Sequence, residues 1–233
     1  MDDVAIPARV ARALDSLPGR DVNFDPARLD QLSRSDPWHI DEYCTELPAE
    51  PPGPPLPDGS FMVGRRLMLD YEFAEPSVVR AYYDARAPLE GRDMLLEIRY
   101  LLLRLLVGVR ITTIFDELRE VGDRPVRVWG WAYRTLEGHL ERGQMDYQIW
   151  KWLDSGQVEF RIHAVSEIAE IPNPIIRVGF RLLGRRRQIR FARECGARME
   201  RFTREGLGAS QVERRPAVIG GVARSPSCTQ ART

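Results

Sequence analysis

A short segment near the middle of the chain, TLEGHLERG at residues 135–143, carries three side chains with acid–base chemistry. Glu137, His139 and Glu141 alternate along it. Alternate residues of a strand lie on one face, so a regular strand would bring the three side chains together. A histidine between two carboxylates can be held in one tautomer with a raised pKa, which suits proton transfer. The three residues are therefore candidate catalytic residues.

A glycine inside the same segment leaves a second interpretation open. Gly138 separates Glu137 from His139, and glycine within a strand often marks a turn or bulge that breaks the alternation. His139 would then be a turn residue that hydrogen-bonds the backbone, with no part in chemistry.

Aromatic residues near the segment indicate an apolar ligand pocket with the polar cluster at its mouth. Trp129, Trp131 and Tyr133 share the parity of the histidine, and Tyr147 of the next strand and Leu182 of a later helix complete the expected lining. Such rings also commonly pack a core. The sequence does not decide which face of the tryptophan-bearing strands is turned inward.

The elements that must position these residues follow from hydrophobic periodicity. A strand is predicted over 61–73 and a short helix over 75–84. Five strands follow, joined by short turns that predict an antiparallel meander; they cover 94–100, 107–117, 125–135, 145–153 and 158–168. Pro174 predicts the start of a long amphipathic helix that reaches about Thr203.

This order predicts an α+β fold in which a curved antiparallel sheet wraps around the long C-terminal helix, with a cavity between them. Ala192, Cys195 and Met199 should face inward with Leu182. We divide the chain into an N-terminal helical extension (1–45), a proline-rich connector (46–60), a ligand-binding domain (61–206) and a disordered tail (207–233).

The stretch 133–147, YRTLEGHLERGQMDY, resembles the signature of an uncharacterised family, domain of unknown function nineteen-ninety. The family has a small residue where Arg134 stands, a proline at Glu137 and often a glutamate at Gln144. The matching residues are Tyr133, Thr135, Leu136, Gly138, His139, Glu141 and Gly143. The stretch 70–84, DYEFAEPSVVRAYYD, is similar to the entry of the wider START and birch-pollen-allergen-like superfamily. The resemblance implies its helix-grip fold and supplies no activity.

Bulk composition excludes several classes of protein. The chain of 233 residues has 34 basic and 34 acidic side chains, so no net charge draws it to nucleic acid. Its most apolar window, 94–115, contains four charged residues and does not predict a membrane span. The three cysteines have neither metal-ligand nor disulfide spacing. We expect no metal, no cofactor and a cytoplasmic location; the oligomeric state stays open.

Three functions fit these observations. The first is a domain that binds a hydrophobic small molecule, lipid-like or polyketide-like, between sheet and helix. The second is an enzyme of the same fold, such as a polyketide cyclase-like enzyme, a dehydratase or a hydrolase, that uses Glu137, His139 and Glu141. The third is a protein-interaction module that uses the proline-rich connector and the arginines at 185–187.

Overall fold

The computed structural model describes residues 6–25, 27, 38–100, 103–169 and 174–208, without the side chains at 100, 103 and 174–184. Three helices and seven strands follow one another along these ranges. They are α1 (Ala8–Asp15), β1 (His39–Leu47), α2 (Ser60–Leu69), β2 (Val79–Tyr82), β3 (Asp93–Tyr100), β4 (Leu103–Val121), β5 (Arg124–Thr135), β6 (Glu141–Trp152), β7 (Val158–Ile168) and α3 (Pro174–Gly208).

The strands form one curved antiparallel sheet in the order β1-β7-β6-β5-β4-β3-β2. Each strand from β3 to β7 pairs with its sequence neighbour, which confirms the predicted meander. Tight turns at Gly122 and Gly156, both with positive φ, join β4 to β5 and β6 to β7. The sequence alternates most regularly in these strands because one face of each is covered.

The long helix α3 packs against β1, β7 and α2 on the covered face of the sheet, which confirms the predicted helix-grip fold. Ala192, Cys195 and Met199 are each at most 4% exposed and belong to the main core, as expected. The side chain of Leu182 lies outside the described residues. Four rings fill the middle of the core between sheet and helices: Phe73, Trp131, Tyr147 and Phe160.

Two local predictions before the meander are wrong. The stretch 61–73, predicted as a strand, begins with helix α2, whose buried residues recur at three- and four-residue intervals instead of alternating. The stretch 75–84, predicted as a helix, contains a turn and then β2, which pairs with β3. Val78 and Val79 have the branched side chains that favour a strand when a neighbouring strand offers its edge.

The expected helical extension is helical only in part. Helix α1 forms as predicted, and Val10 and Leu17 pack with Leu95 and Leu136 on the outer side of the sheet. The strand β1 contradicts a helical assignment of residues 39–45, because it pairs along its whole length with β7. The second predicted helix, at 26–35, and the tail after 208 lie outside the described residues. The domain boundaries stay predictions.

A fully buried ion pair fixes the start of α2. Lys151, the single lysine of the chain, is 0% exposed, and its Nζ lies 2.6 Å from Glu50 Oε2 and 3.0 Å from the carbonyl oxygen of Pro54. The Glu50 carboxylate also accepts the backbone N–H groups of Leu56 and Phe61 at 2.9 and 2.8 Å. The carboxylate therefore receives an N–H group from the first turn of α2.

Removing one member of this pair should be costly, because the other charge would stay buried without a partner. We expect Lys151→Met to lower the free energy of unfolding by roughly 3–5 kcal/mol, measured by urea denaturation. The matched control is Arg124→Met, which breaks the exposed pair between Arg124 and Asp154 and should cost far less, because exposed ion pairs contribute little to stability. Equal losses in the two variants would contradict a structural role for the buried pair.

Candidate functional site

A pocket of about 120 Å³ lies between the covered face of the sheet and α3. Most of its wall is apolar, and its polar residues come from β3, from the end of β5 through the turn into β6, from β7 and from α3. The residues used below are Val79, Ile98, Tyr133, Thr135, His139, Glu141, Met145, Ala164, Arg187, Gln188 and Phe191.

The segment 135–143 forms a turn that brings its histidine back over the pocket. Strand β5 ends at Thr135. Gly138 adopts φ 81°, a conformation that other residues rarely take, and the N–H of His139 donates to the carbonyl oxygen of Leu136 at 3.1 Å. The regular alternation from Trp129 to Glu141 is therefore broken, as the alternative interpretation of the segment allowed.

The N-terminal segment holds this turn in place. The side-chain oxygen of Asn23 accepts a hydrogen bond from the Thr135 hydroxyl group. The side-chain amide of Asn23 donates to the carbonyl oxygens of Leu136 at 3.1 Å and Glu141 at 3.4 Å. The Thr135 Oγ1 in turn accepts the N–H of Gly143 at 2.9 Å. Asn23 is a positioning residue that the sequence analysis missed, because a contact across more than 100 residues leaves no local pattern.

His139 lines the pocket and is 8% exposed. Its Nδ1 accepts the backbone N–H of Glu141 at 2.9 Å. Burial lowers the pKa of His139 to about 4. The raised pKa that the sequence suggested is not found, because burial disfavours the charged form and because Glu137 is exposed and lies outside the pocket lining.

Glu141 also lines the pocket, and its carboxylate accepts a hydrogen bond from the side-chain amide of Gln188. Burial raises the pKa of Glu141 to about 7, although Arg185 and the Gln188 hydrogen bond favour the ionised form. Near neutral pH the pocket therefore holds a neutral imidazole and a carboxyl group that readily gains or loses its proton, a pattern often seen at functional sites.

The expected aromatic lining is divided between the pocket and the core. Tyr133 lines the pocket, and its hydroxyl lies 3.4 Å from Met145 Sδ. Trp129, Trp131 and Tyr147 are core residues on the same covered face and are not part of the lining. Trp150 and Trp152 lie on the opposite face of the sheet. The face that is turned inward is therefore the one that carries Trp129, Trp131 and Tyr147.

Several lining residues were not foreseen in the sequence. Ala164 of β7 and Met145 of β6 are paired neighbours, and Gln188 and Phe191 of α3 reach the pocket from the other side. The alternation of apolar residues along β6 and β7 could have indicated the strand residues. No local pattern could have indicated the helix residues, because their position depends on how α3 crosses the sheet.

The arginines at 185–187 make contacts within the domain. Arg185 forms an ion pair with Asp41 of β1, and Arg187 donates to the carbonyl oxygen of Arg99 at 3.1 Å. Among the described residues, no group of three or more His, Cys, Asp and Glu side chains could hold a metal ion. Within the same ranges, no helix is long and apolar enough to cross a membrane.

The two shifted pKa values should give opposite pH dependences of stability. The contribution of Glu141 is complete below pH 4.5, its ordinary pKa, and is lost as pH rises through about 7. The contribution of His139 is complete above pH 6.5 and is lost as pH falls through about 4.

We therefore expect Glu141→Gln to gain stability relative to the wild type as pH rises from 4.5 to 7. His139→Gln should gain relative stability as pH falls from 6.5 to 4. Urea unfolding of the three proteins across pH 4–8 measures both differences. Differences that do not vary with pH would contradict the assigned titrations.

Solved structures similar to this chain share its general architecture at low sequence identity. A Thalictrum norcoclaurine synthase point mutant in complex with a transition-state analogue is 7% identical, with a TM-score of 0.47, over 72% of this chain and 95% of that one. A START superfamily protein from Mycobacterium smegmatis is 11% identical, with a TM-score of 0.38, over 70% of this chain and 98% of that one. Ara h 8.0201 is 8% identical, with a TM-score of 0.42, over 72% of this chain and 99% of that one.

No curated protein sequence matches the chain. A family model does match it, and the model covers residues 28–198, which include the turn at 135–143, the pocket strands and most of α3. Its description is Domain of unknown function (DUF1990). The match spans well over half of the sequence, and the chain therefore belongs to the DUF1990 family.

Proposed function

We propose that this protein binds a hydrophobic small molecule in the pocket between its sheet and α3. The observation that carries the proposal is a mostly apolar pocket whose polar lining residues include His139 and Glu141. Ligand sites are typically apolar concavities with a few placed polar groups. The helix-grip fold suggests a ligand-binding domain in general terms.

The size of the pocket limits what it can hold. Its volume is about 120 Å³, and apolar protein cavities of about 150 Å³ bind benzene. The buried part of the ligand is therefore of the order of one ring or a short branched chain. Val79, Ile98 and Phe191 would contact this part, and a longer lipid-like or polyketide-like molecule would extend beyond the pocket.

The protonation state of Glu141 favours a second candidate, an enzyme of the same fold. A carboxyl group with a pKa of about 7 is suited to take up and release a proton at neutral pH. Cyclases and dehydratases share one elementary step, the removal of a proton from the carbon beside a carbonyl group. Glu141 would take that proton, and the electron pair would move to the carbonyl oxygen.

The third candidate, a protein-interaction module, has less support. Two of the three arginines proposed for it, Arg185 and Arg187, are already bound to Asp41 and to the Arg99 carbonyl oxygen. The connector residue Glu50 is buried in its pair with Lys151.

We keep the cytoplasm as the proposed compartment, since Cys44 and Cys195 are free thiols.

Filling the pocket should abolish ligand binding. We expect Ala164→Leu to weaken the binding of ethylbenzene at least tenfold, because the added methyl groups occupy the space of the ligand. Ala197→Leu, at an exposed position of α3, is the matched control and should bind like the wild type. Amide chemical shifts in NMR titrations give the affinities. Unchanged binding by Ala164→Leu, or no binding by the wild type up to the solubility of ethylbenzene, would contradict the proposal.

The enzyme candidate has its own test. In deuterated water at pH 8, the wild type should exchange the methyl protons of acetophenone for deuterium faster than buffer alone. General base catalysis contributes roughly 10²–10⁴-fold, so Glu141→Gln should lose most of the exchange while Ala197→Leu keeps it. Mass spectrometry of the ketone measures the rate. Equal rates for the wild type and Glu141→Gln would remove the catalytic role.

A further inference from the structure

We propose that the pocket selects hydrophobic ligands that carry a hydrogen-bond acceptor, such as the carbonyl oxygen of a ketone or ester, and that the Nε2–H of His139 donates to this oxygen. The inference rests on the proposed function and names the chemical class of its ligand.

The first step of the argument is the tautomer of His139. The backbone N–H of Glu141 can only donate, and it does so to Nδ1 at 2.9 Å. Nδ1 must therefore carry a lone pair, and the proton of the neutral ring lies on Nε2. The low pKa of His139 keeps the ring neutral at physiological pH, so this single donor is present throughout the neutral range.

The second step is that this donor has no partner. His139 is more than nine-tenths buried and lines the pocket. Within the described part of the chain its Nε2–H makes no hydrogen bond, whereas Nδ1 is satisfied. Nε2 is not among the fully enclosed side-chain atoms that lack a partner, so it is accessible at the pocket wall. A ligand atom, or water that a ligand displaces, can accept its hydrogen bond.

The third step is the set of charged and polar groups around the donor. Glu141, Arg99 and Arg187 line the same pocket, so a ligand meets side chains of both signs of charge there. The protonated form of Glu141 would add an O–H donor to the N–H donor of His139. Tyr133 offers less competition, because its hydroxyl is directed to Met145 Sδ at 3.4 Å. A neutral carbonyl oxygen satisfies the histidine in both protonation states of Glu141.

Acetophenone and ethylbenzene provide a matched pair of probes, since they have the same carbon skeleton and differ in the carbonyl oxygen. The ketone should bind the wild type roughly fivefold more tightly than the hydrocarbon, the worth of about 1 kcal/mol of net hydrogen bonding. NMR titration measures both affinities.

Two variants assign the preference to His139. His139→Phe removes the donor and should bind both neutral probes equally. His139→Gln keeps one acceptor for the Glu141 N–H and one donor for the ligand, and should restore part of the preference. In the wild type, side-chain ¹⁵N spectra should show a protonated Nε2 whose N–H signal shifts with acetophenone and not with ethylbenzene.

The outcomes separate the two proposals. If neither neutral probe binds the wild type, the proposed function fails. If both bind with equal affinity, or if His139→Phe keeps the ketone preference, the pocket binds apolar molecules but the assignment of the donor is overturned. A wild-type ring protonated at Nδ1 overturns the assignment without any substitution.

Discussion

The buried ion pair between Lys151 and Glu50 is the constraint that determines at which end of the sheet a pocket can form. It joins the loop before α2 to the far end of β6, and the carboxylate receives an N–H group from the first turn of that helix. Helix α2 is thereby held against β5, β6 and β7. The pocket lies at the other end of β6, where Glu141 begins the strand, roughly 33 Å away at 3.3 Å per residue.

The aromatic core between these two ends explains why the pocket is small. Trp131, Tyr147 and Phe73 contact one another under the middle of the sheet, with ring centroids 4.7–6.3 Å apart. These rings fill the space that a deeper cavity would need, and the sequence had suggested two of them, Trp131 and Tyr147, as ligand contacts. An aromatic stripe therefore marked the covered face correctly but not the cavity, because packing against α2 uses most of it.

The sequence predicted the parts of the fold whose side chains obey one dominant period. Strands β3 to β7 and α3 followed from such patterns. Helix α2 and strand β2 were misassigned because they are short, and ten or four residues give too few repeats to distinguish a helical from a strand period. His139 and Glu141 were found from residue type and spacing, whereas the outward position of Glu137 depends on the turn at Gly138. The contacts of Gln188 and Asn23 could not be predicted, since they depend on elements distant in the sequence.

The two halves of α3 are attached to the domain in different ways. Around Cys195 and Met199 the helix is held by apolar packing. Beside the pocket it is held by polar contacts, in which Gln188 binds Glu141 and Arg185 binds Asp41. Water can replace such contacts at little cost in free energy, and salt screens the ion pair. The pocket end of α3 is therefore the part that can separate from the sheet at the lowest cost in free energy. A ligand of the proposed kind should enter and leave faster as ionic strength rises.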